Sequence, residues 1–135
     1  MAIQFSTAVR NARLDAWETT VGTAAVIKIR TGAQPATCAT ADSGTALASF
    51  TMASDWAAAA SGGSKALNNL PLSTTGLAPG TAAHYRIYAS DGTTCHEQGS
   101  ITATGGGGDM TIDNTSIASG QTVSITGFTK TEPHA

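Results

Sequence analysis

Asp91-Gly92 lies between two alternating runs, HYRIYAS before it and TTCHEQG after it, and no other feature of the chain limits its fold as tightly. A type I′ turn needs φ > 0 at both central residues, which Asp-Gly tolerates, and the flanking runs then become the arms of a β-hairpin. A two-residue loop there pairs Ala89 with Thr94, Tyr88 with Cys95, Ile87 with His96 and Arg86 with Glu97. The last pair sets opposite charges across the strands, which is favourable.

The same period of two recurs on both sides of this hairpin. In AAVIKIRTG, Val26, Lys28 and Arg30 alternate with Ile27 and Ile29, so a strand with one wet face is expected. TALASFTM (Thr45–Met52) is strand-like. Ile101 and Ala103 alternate with threonines before Gly105-Gly106-Gly107-Gly108, as Met110 and Ile112 alternate with Thr111 and Asp113 after it. Two strands closed by a glycine turn is the economical reading of that stretch. A phosphate loop would need Lys-Ser or Lys-Thr and then a helix after the last glycine, whereas Asp109 and a β-like segment follow. A further turn falls at Ser119-Gly120, before a last strand through Val123 and Ile125, and Gly127 permits a bulge ahead of Phe128. AQPATCATADSG and NNLPLSTTGLAPGT read as loop and irregular chain. SDWAAAASGG, with Ser54 or Asp55 as cap, is expected to form one or two helical turns.

Only the N-terminus has helical spacing. Ser6 is a suitable N-cap, Phe5, Val9, Ala12, Ala16, Trp17 and Val21 fall on or near one face, and Gly22 stands where a helix would stop. A helix is predicted over 7–20. The fold class is therefore mainly β: an antiparallel β-sandwich or small barrel of six to seven strands behind an N-terminal α-helix. Residues 1–22 form an anchoring or oligomerising helix in this reading, and residues 23–135 the β-sandwich domain.

Composition decides what such a domain can do alone. Of the apolar residues 25 are Ala and only 28 are larger aliphatic or aromatic side chains, so a single domain of 135 residues has a thin core. Charged residues are 12% of the chain, about half the usual share. Both features favour a subunit that completes its burial against neighbours, and a homo-oligomer is expected. The net charge of −2 supplies no basic footprint for nucleic acid. Arg10, Arg13, Asp15 and Glu18 interrupt any signal-like apolar run, and no stretch is long enough to span a bilayer. The expectation is synthesis in the cytoplasm, with no membrane partner.

Catalytic signatures are absent from the sequence. There is no GxSxG, and the histidines, His84, His96 and His134, are scattered. Asp109 and Asp113 are a nominal carboxylate pair that solvation on a polar strand face explains. Cys95-His96-Glu97, with Cys38, Asp91 and His84, is the one grouping with metal-binding residue types. Neighbours on a strand point to opposite faces, however, and no CxxC or HxxxH spacing exists. No catalytic, cofactor or metal residue is assigned. Cys38 and Cys95 are read either as a disulfide or as two packed thiols. Trp17 and Trp56 are read as core or interface anchors, Trp56 being the better ligand candidate if it sits on a surface helix.

The ordered series NARLDAWETTVG, TCATADSGT, SDWAAAASGGSKAL, TTCHEQG, TATGGGGDMTIDN and SIASGQTVSITGF resembles a group of small tailed-bacteriophage virion proteins over nearly the whole chain. The resemblance implies a non-enzymatic structural component of a virion, either decorating the head or belonging to the neck, tail or fibre attachment. Its implied partners are other phage structural proteins. Locally, GLAPGTAAHYRIYASD is similar to a turn and strand of fibronectin type III modules, although Ala83 stands where that pattern carries Tyr. Arg10, Arg13, Trp17 and Trp56 are the candidate interface residues, Trp and Arg being the commonest hot-spot types. The alternative is a carbohydrate-binding or adhesive module that uses Trp56 and the loops around residues 54–80.

Overall fold

The computed structural model describes residues 2–135. It consists of α1 (Thr7–Val21) followed by ten strands: β1 (Val26–Arg30), β2 (Ala46–Thr51), β3 (Ser64–Ala66), β4 (Leu72–Thr75), β5 (Gly80–Thr81), β6 (His84–Tyr88), β7 (Cys95–Ala103), β8 (Met110–Ile112), β9 (Ser116–Ile117) and β10 (Thr122–Thr131). The mainly-β class with one N-terminal helix is as expected. The strand count exceeds six or seven because the stretch read as irregular carries β4 and β5, and because β3 and β9 are very short. Strand order is β2-β1-β6-β7-β8-β10-β3, with β4 also on β10, while β5 and β9 form a separate ribbon. The sheet curls until β4 lies beside β2, where Thr74 Oγ1 donates to Ser49 O at 3.1 Å. Inside the curl lie Ile27, Ile29, Ile87, Met110, Ile112, Val123 and Ile125, all without solvent exposure.

The helix obeys its caps. Ser6 accepts from the Val9 amide at 3.2 Å, and Gly22, at φ +92°, donates to Glu18 O at 2.9 Å. Leu14 and Val21 are buried on its inner side, and Trp17 packs edge-on to Trp56 and stacks on Phe128.

Four expectations change. First, the Asp91-Gly92 hairpin forms, with Ala89 bonded to Thr94 and Tyr88 opposite Cys95, but its turn is not type I′. Only Gly92 has positive φ; its N–H closes on Ala89 O, and Asp91 instead caps the Thr93 and Thr94 amides with its carboxylate. A bulge at His96 then shifts the register, so Arg86 faces Gln98 and Glu97 faces Ile87. The expected Arg86–Glu97 pair does not exist.

Second, the tetraglycine is a turn but not a hairpin tip, because β7 and β8 run parallel. Parallel neighbours ordinarily need a crossover of a dozen or more residues. Here the chain reverses twice within residues 104–109. Gly105 and Gly107 adopt positive φ, and a Cβ on Gly106 or Gly108 would collide with Thr102. The loop folds onto that threonine, whose Oγ1 accepts from Gly108 N at 2.9 Å.

Third, SDWAAAASGG forms no helix. It runs as extended chain, bridging Ala57 to Leu67 and Ser61 to Ser64. Ala propensity is overridden here by burial of Trp56, which is 1% exposed and donates from Nε1 to Gly22 O at 2.8 Å. Fourth, the face of β1 expected to be wet is covered. Residues 31–44 cross it as a strap, leaving Arg30 and Arg86 buried. By contrast the bulge at Gly127 is present, with Thr126 as the extra residue between Ile125 and Gly127.

Candidate functional site

Three polar regions lie around the core, and they take up Arg13, Trp17, Cys38 and Cys95 but not Arg10 or Trp56. The first is beside α1. Arg13 is half exposed, pairs with Glu132 at 2.9 Å and lies over the Phe5 ring at 5.1 Å. One turn on, the half-buried Trp17 ring is covered by the Lys130 ammonium at 4.8 Å. Together with Ala16, Thr20, Val21 and His96 they line a groove of about 250 Å³. The structure thus brings Arg13 and Trp17 together at one surface. Arg10 is not part of it: it is buried under Gly63 and donates from Nε to Glu132 O at 2.9 Å, joining α1 to the end of β10. Trp56 is core, so its expected place on a surface helix is corrected.

The second region is a cleft of about 430 Å³ between α1, β7 and β10. The His96 bulge turns Glu97 inward here. Tyr85 Oη donates to one carboxylate oxygen at 2.7 Å, and Lys130 Nζ to the other at 2.8 Å. Burial, then the Glu97 charge, pushes the Tyr85 phenol far above its ordinary range. Gly99 permits this arrangement, since a Cβ there would sit 2.7 Å from the Tyr85 ring. At the cleft rim Asp109 accepts from Ser100 N and Oγ, each at 2.9 Å, and these bonds hold its carboxyl below the usual range. Asp113 caps the Asn114 and Ser124 amides instead. With β8 extended between them, Asp109 and Asp113 stand about 13 Å apart along the strand. That is too far for a glycosidase pair.

The third region is the strap. Asp42 receives Arg30 Nη2 at 2.8 Å, Tyr88 Oη at 2.6 Å and Arg86 Nη1. Arg86 Nη2 donates to the carbonyls of Thr37, Cys38 and Thr40 at 3.0–3.2 Å, and Arg30 Nη1 to Gly44 O at 3.2 Å. Gln98 donates to Pro35 O at 2.6 Å, and His84 Nδ1 to Gly32 O at 2.9 Å. Burial raises the Asp42 carboxyl, but the bonds from Tyr88 and Arg86 and the two arginine charges outweigh it and hold the group below its ordinary value. Burial, then the bond to Asp42, pushes the Tyr88 phenol up to about 12 against the opposing pull of Arg30. Cys38, in the strap, and Cys95, opposite Tyr88, are both free thiols. Among the described residues no three His, Cys, Asp or Glu side chains gather as metal ligands.

The sequence signal for the strap is faint but real. Lys28, Arg30 and Arg86 share one side of adjacent strands, and Asp42 is the acid that meets the two arginines; only the register reveals it. No helix is long and apolar enough to cross a membrane. Comparison with protein-family models, with curated proteins and with solved structures finds no match to this chain.

Proposed function

We propose that the protein is a non-enzymatic structural subunit of a tailed-bacteriophage particle, an accessory component of the head or of the neck, tail or fibre attachment. The groove beside α1 carries the reading. Arg13 and Trp17, residue types that dominate interface hot spots, line it with small outward-facing Ala16 and Thr20, which let a neighbouring backbone approach closely. Exposed Ile3 and Val9 add apolar surface toward the start of the helix. Support also comes from the cleft, where the two oxygens of Glu97 are engaged by Tyr85 and Lys130, so the group serves as a strut between β7 and β10. The carbohydrate-binding alternative loses its aromatic platform, because Trp56 is buried.

The test is incorporation into particles. Arg13→Ala and Ala16→Gln alter exposed positions and leave the core intact, so both variants fold. Each is expected to lower incorporation tenfold or more, a hot-spot effect of about 1.4 kcal/mol or above. Folded variants that enter particles as well as the parent chain would sink the proposal. Light scattering on the purified chain adds the partner's identity: a discrete oligomer means copies of itself, a monomer means another subunit.

A further inference from the structure

We propose that Cys38 and Cys95 are a disulfide site whose closure latches the strap onto the sheet. Three observations bring the two residues to one face of the sheet. Arg86 holds the Cys38 carbonyl at 3.0 Å. Tyr88, two residues along β6 and on the same face as Arg86, is directly opposite Cys95 on β7. Both Arg86 and Tyr88 bind the same oxygen of Asp42, which fixes the strap in place above that face. Cys38 and Cys95 accordingly share that face, and burial, then the neighbouring Cys38, pushes the Cys95 thiol up to about 11. Both residues are half-buried rather than sealed, so a small disulfide reagent can reach them.

The His96 bulge is what makes the site. Cys95 sits at the position where the register breaks, on the face that the strap crosses; its thiol donates to Glu97 O at 3.3 Å, while the Glu97 side chain turns to the cleft. The co-reactant is a low-molecular-weight disulfide such as oxidised glutathione. One cysteine thiolate attacks a glutathione sulfur, forming a mixed disulfide and releasing one glutathione thiolate. The second cysteine thiolate attacks the protein sulfur of that mixed disulfide and releases the other. Two protein thiols are oxidised, one glutathione disulfide is reduced to two thiols, and the two protons leave with them. The bond closes a long loop, from Cys38 to Cys95, and so removes much of the freedom of the unfolded chain. It also converts the strap from a segment held by polar bonds into one that cannot leave β7.

The experiment is titration of the full chain through glutathione buffers from reducing to oxidising, read by intact mass, thiol labelling and thermal unfolding. The expected result is a monomeric product 2 Da lighter, with a peptide joining Cys38 to Cys95 and a melting temperature raised by roughly 10 °C. Hydrogen exchange in residues 31–44 should slow on oxidation and return to its starting rate on reduction. Cys38→Ser is expected to abolish the mass loss while leaving the reduced protein folded. Persistence of two thiols at the oxidising end, or only glutathione adducts or cross-linked dimers, would overturn the site. A bond that forms without protecting the strap would overturn the latch.

Discussion

The strap and the helix are both segments outside the sheet that are fastened to it by charge, yet they are fastened in opposite ways. At the strap, two buried guanidiniums, Arg30 and Arg86, share the single carboxylate of Asp42 and fill their remaining donors with backbone carbonyls. At the helix, one buried ammonium, Lys65, sits between two carboxylates, Asp15 at 2.7 Å and Glu18 at 2.8 Å, and donates also to Ala58 O. The helix has a second fastening in Leu14, Val21 and the Trp17–Trp56–Phe128 stack. The strap has no comparable apolar underside, since Pro35 is its one buried residue. Buried ion pairs add little net stability but are costly to break on one side. A segment held by such pairs and by polar bonds to its backbone, with almost no apolar burial, is therefore specified rather than stabilised, and it loosens when Arg86 goes.

Removing Arg86 should have the largest effect. Arg86→Met strands three strap carbonyls and halves the charge facing Asp42, and we expect a loss of about 3 kcal/mol in urea unfolding. Exchange of the 31–44 amides should rise toward that of unstructured chain. Lys65→Met should cost less, about 1–2 kcal/mol. Its side chain is 1% exposed, but Asp15 is half exposed, water can reach both carboxylates in part, and the aromatic stack keeps α1 docked. Trp fluorescence should therefore stay near that of the parent protein. If the two substitutions cost the same, the contrast between the regions fails.

Acid gives the smallest and sharpest difference. The Asp42 carboxyl is depressed in the folded protein, so its contribution is present above the ordinary carboxylate value near 3.9 and is lost as pH falls through the lower, folded value. We expect strap protection to drop below about pH 4, by about 1 kcal/mol or less because a third of the carboxylate is exposed. Asp42→Asn should flatten that dependence. The helix fastening adds a response of the opposite sign. Burial lowers the Lys65 ammonium, but its bonds to Asp15 and Glu18 outweigh this and raise it. The ammonium's contribution is complete below the ordinary lysine value near 10.4 and is lost at higher pH, whereas the Asp15 carboxyl, held down by Lys65 and the Ala60 amide, weakens in acid as Asp42 does. Strap protection read at pH 3 and helix docking read above pH 11 would separate the two.

Much of the secondary structure could be read from local chemistry. Ser6, Gly22, the alternation in VIKIR and ALASFT, and the bulge at Gly127 each appear where their residue types place them. The misreadings share a cause. At Asp91-Gly92 the loop was located but not its turn type, because the Asp91 carboxylate captured two amides and made left-handed φ at that residue unnecessary. In SDWAAAASGG the four alanines favour helix only in isolation, and burying one indole against Gly22 and Trp17 outweighs their preference. Of the candidate interface residues, Arg13 and Trp17 meet at the surface because they are four apart on one helix, a spacing visible beforehand. Arg10 and Trp56 are drawn inward by partners far along the chain, Glu132 and Gly22, which no local pattern announces.

What the sequence determined by itself is the alternation of the main strands, the places where the chain turns, and the helix with both its caps, because these follow from contacts within a few residues. Tertiary structure alone decided that β7 and β8 run parallel, that Arg86 serves Asp42 rather than Glu97, and that the strap carrying Cys38 crosses the face on which Cys95 stands. Each depends on a register, and one bulged residue at His96 moves every side chain beyond it to the other face. Such a shift costs little locally. It is chosen by the distant groups it brings together: Tyr85 and Lys130 around Glu97 on one face, Pro35 against Gln98 on the other.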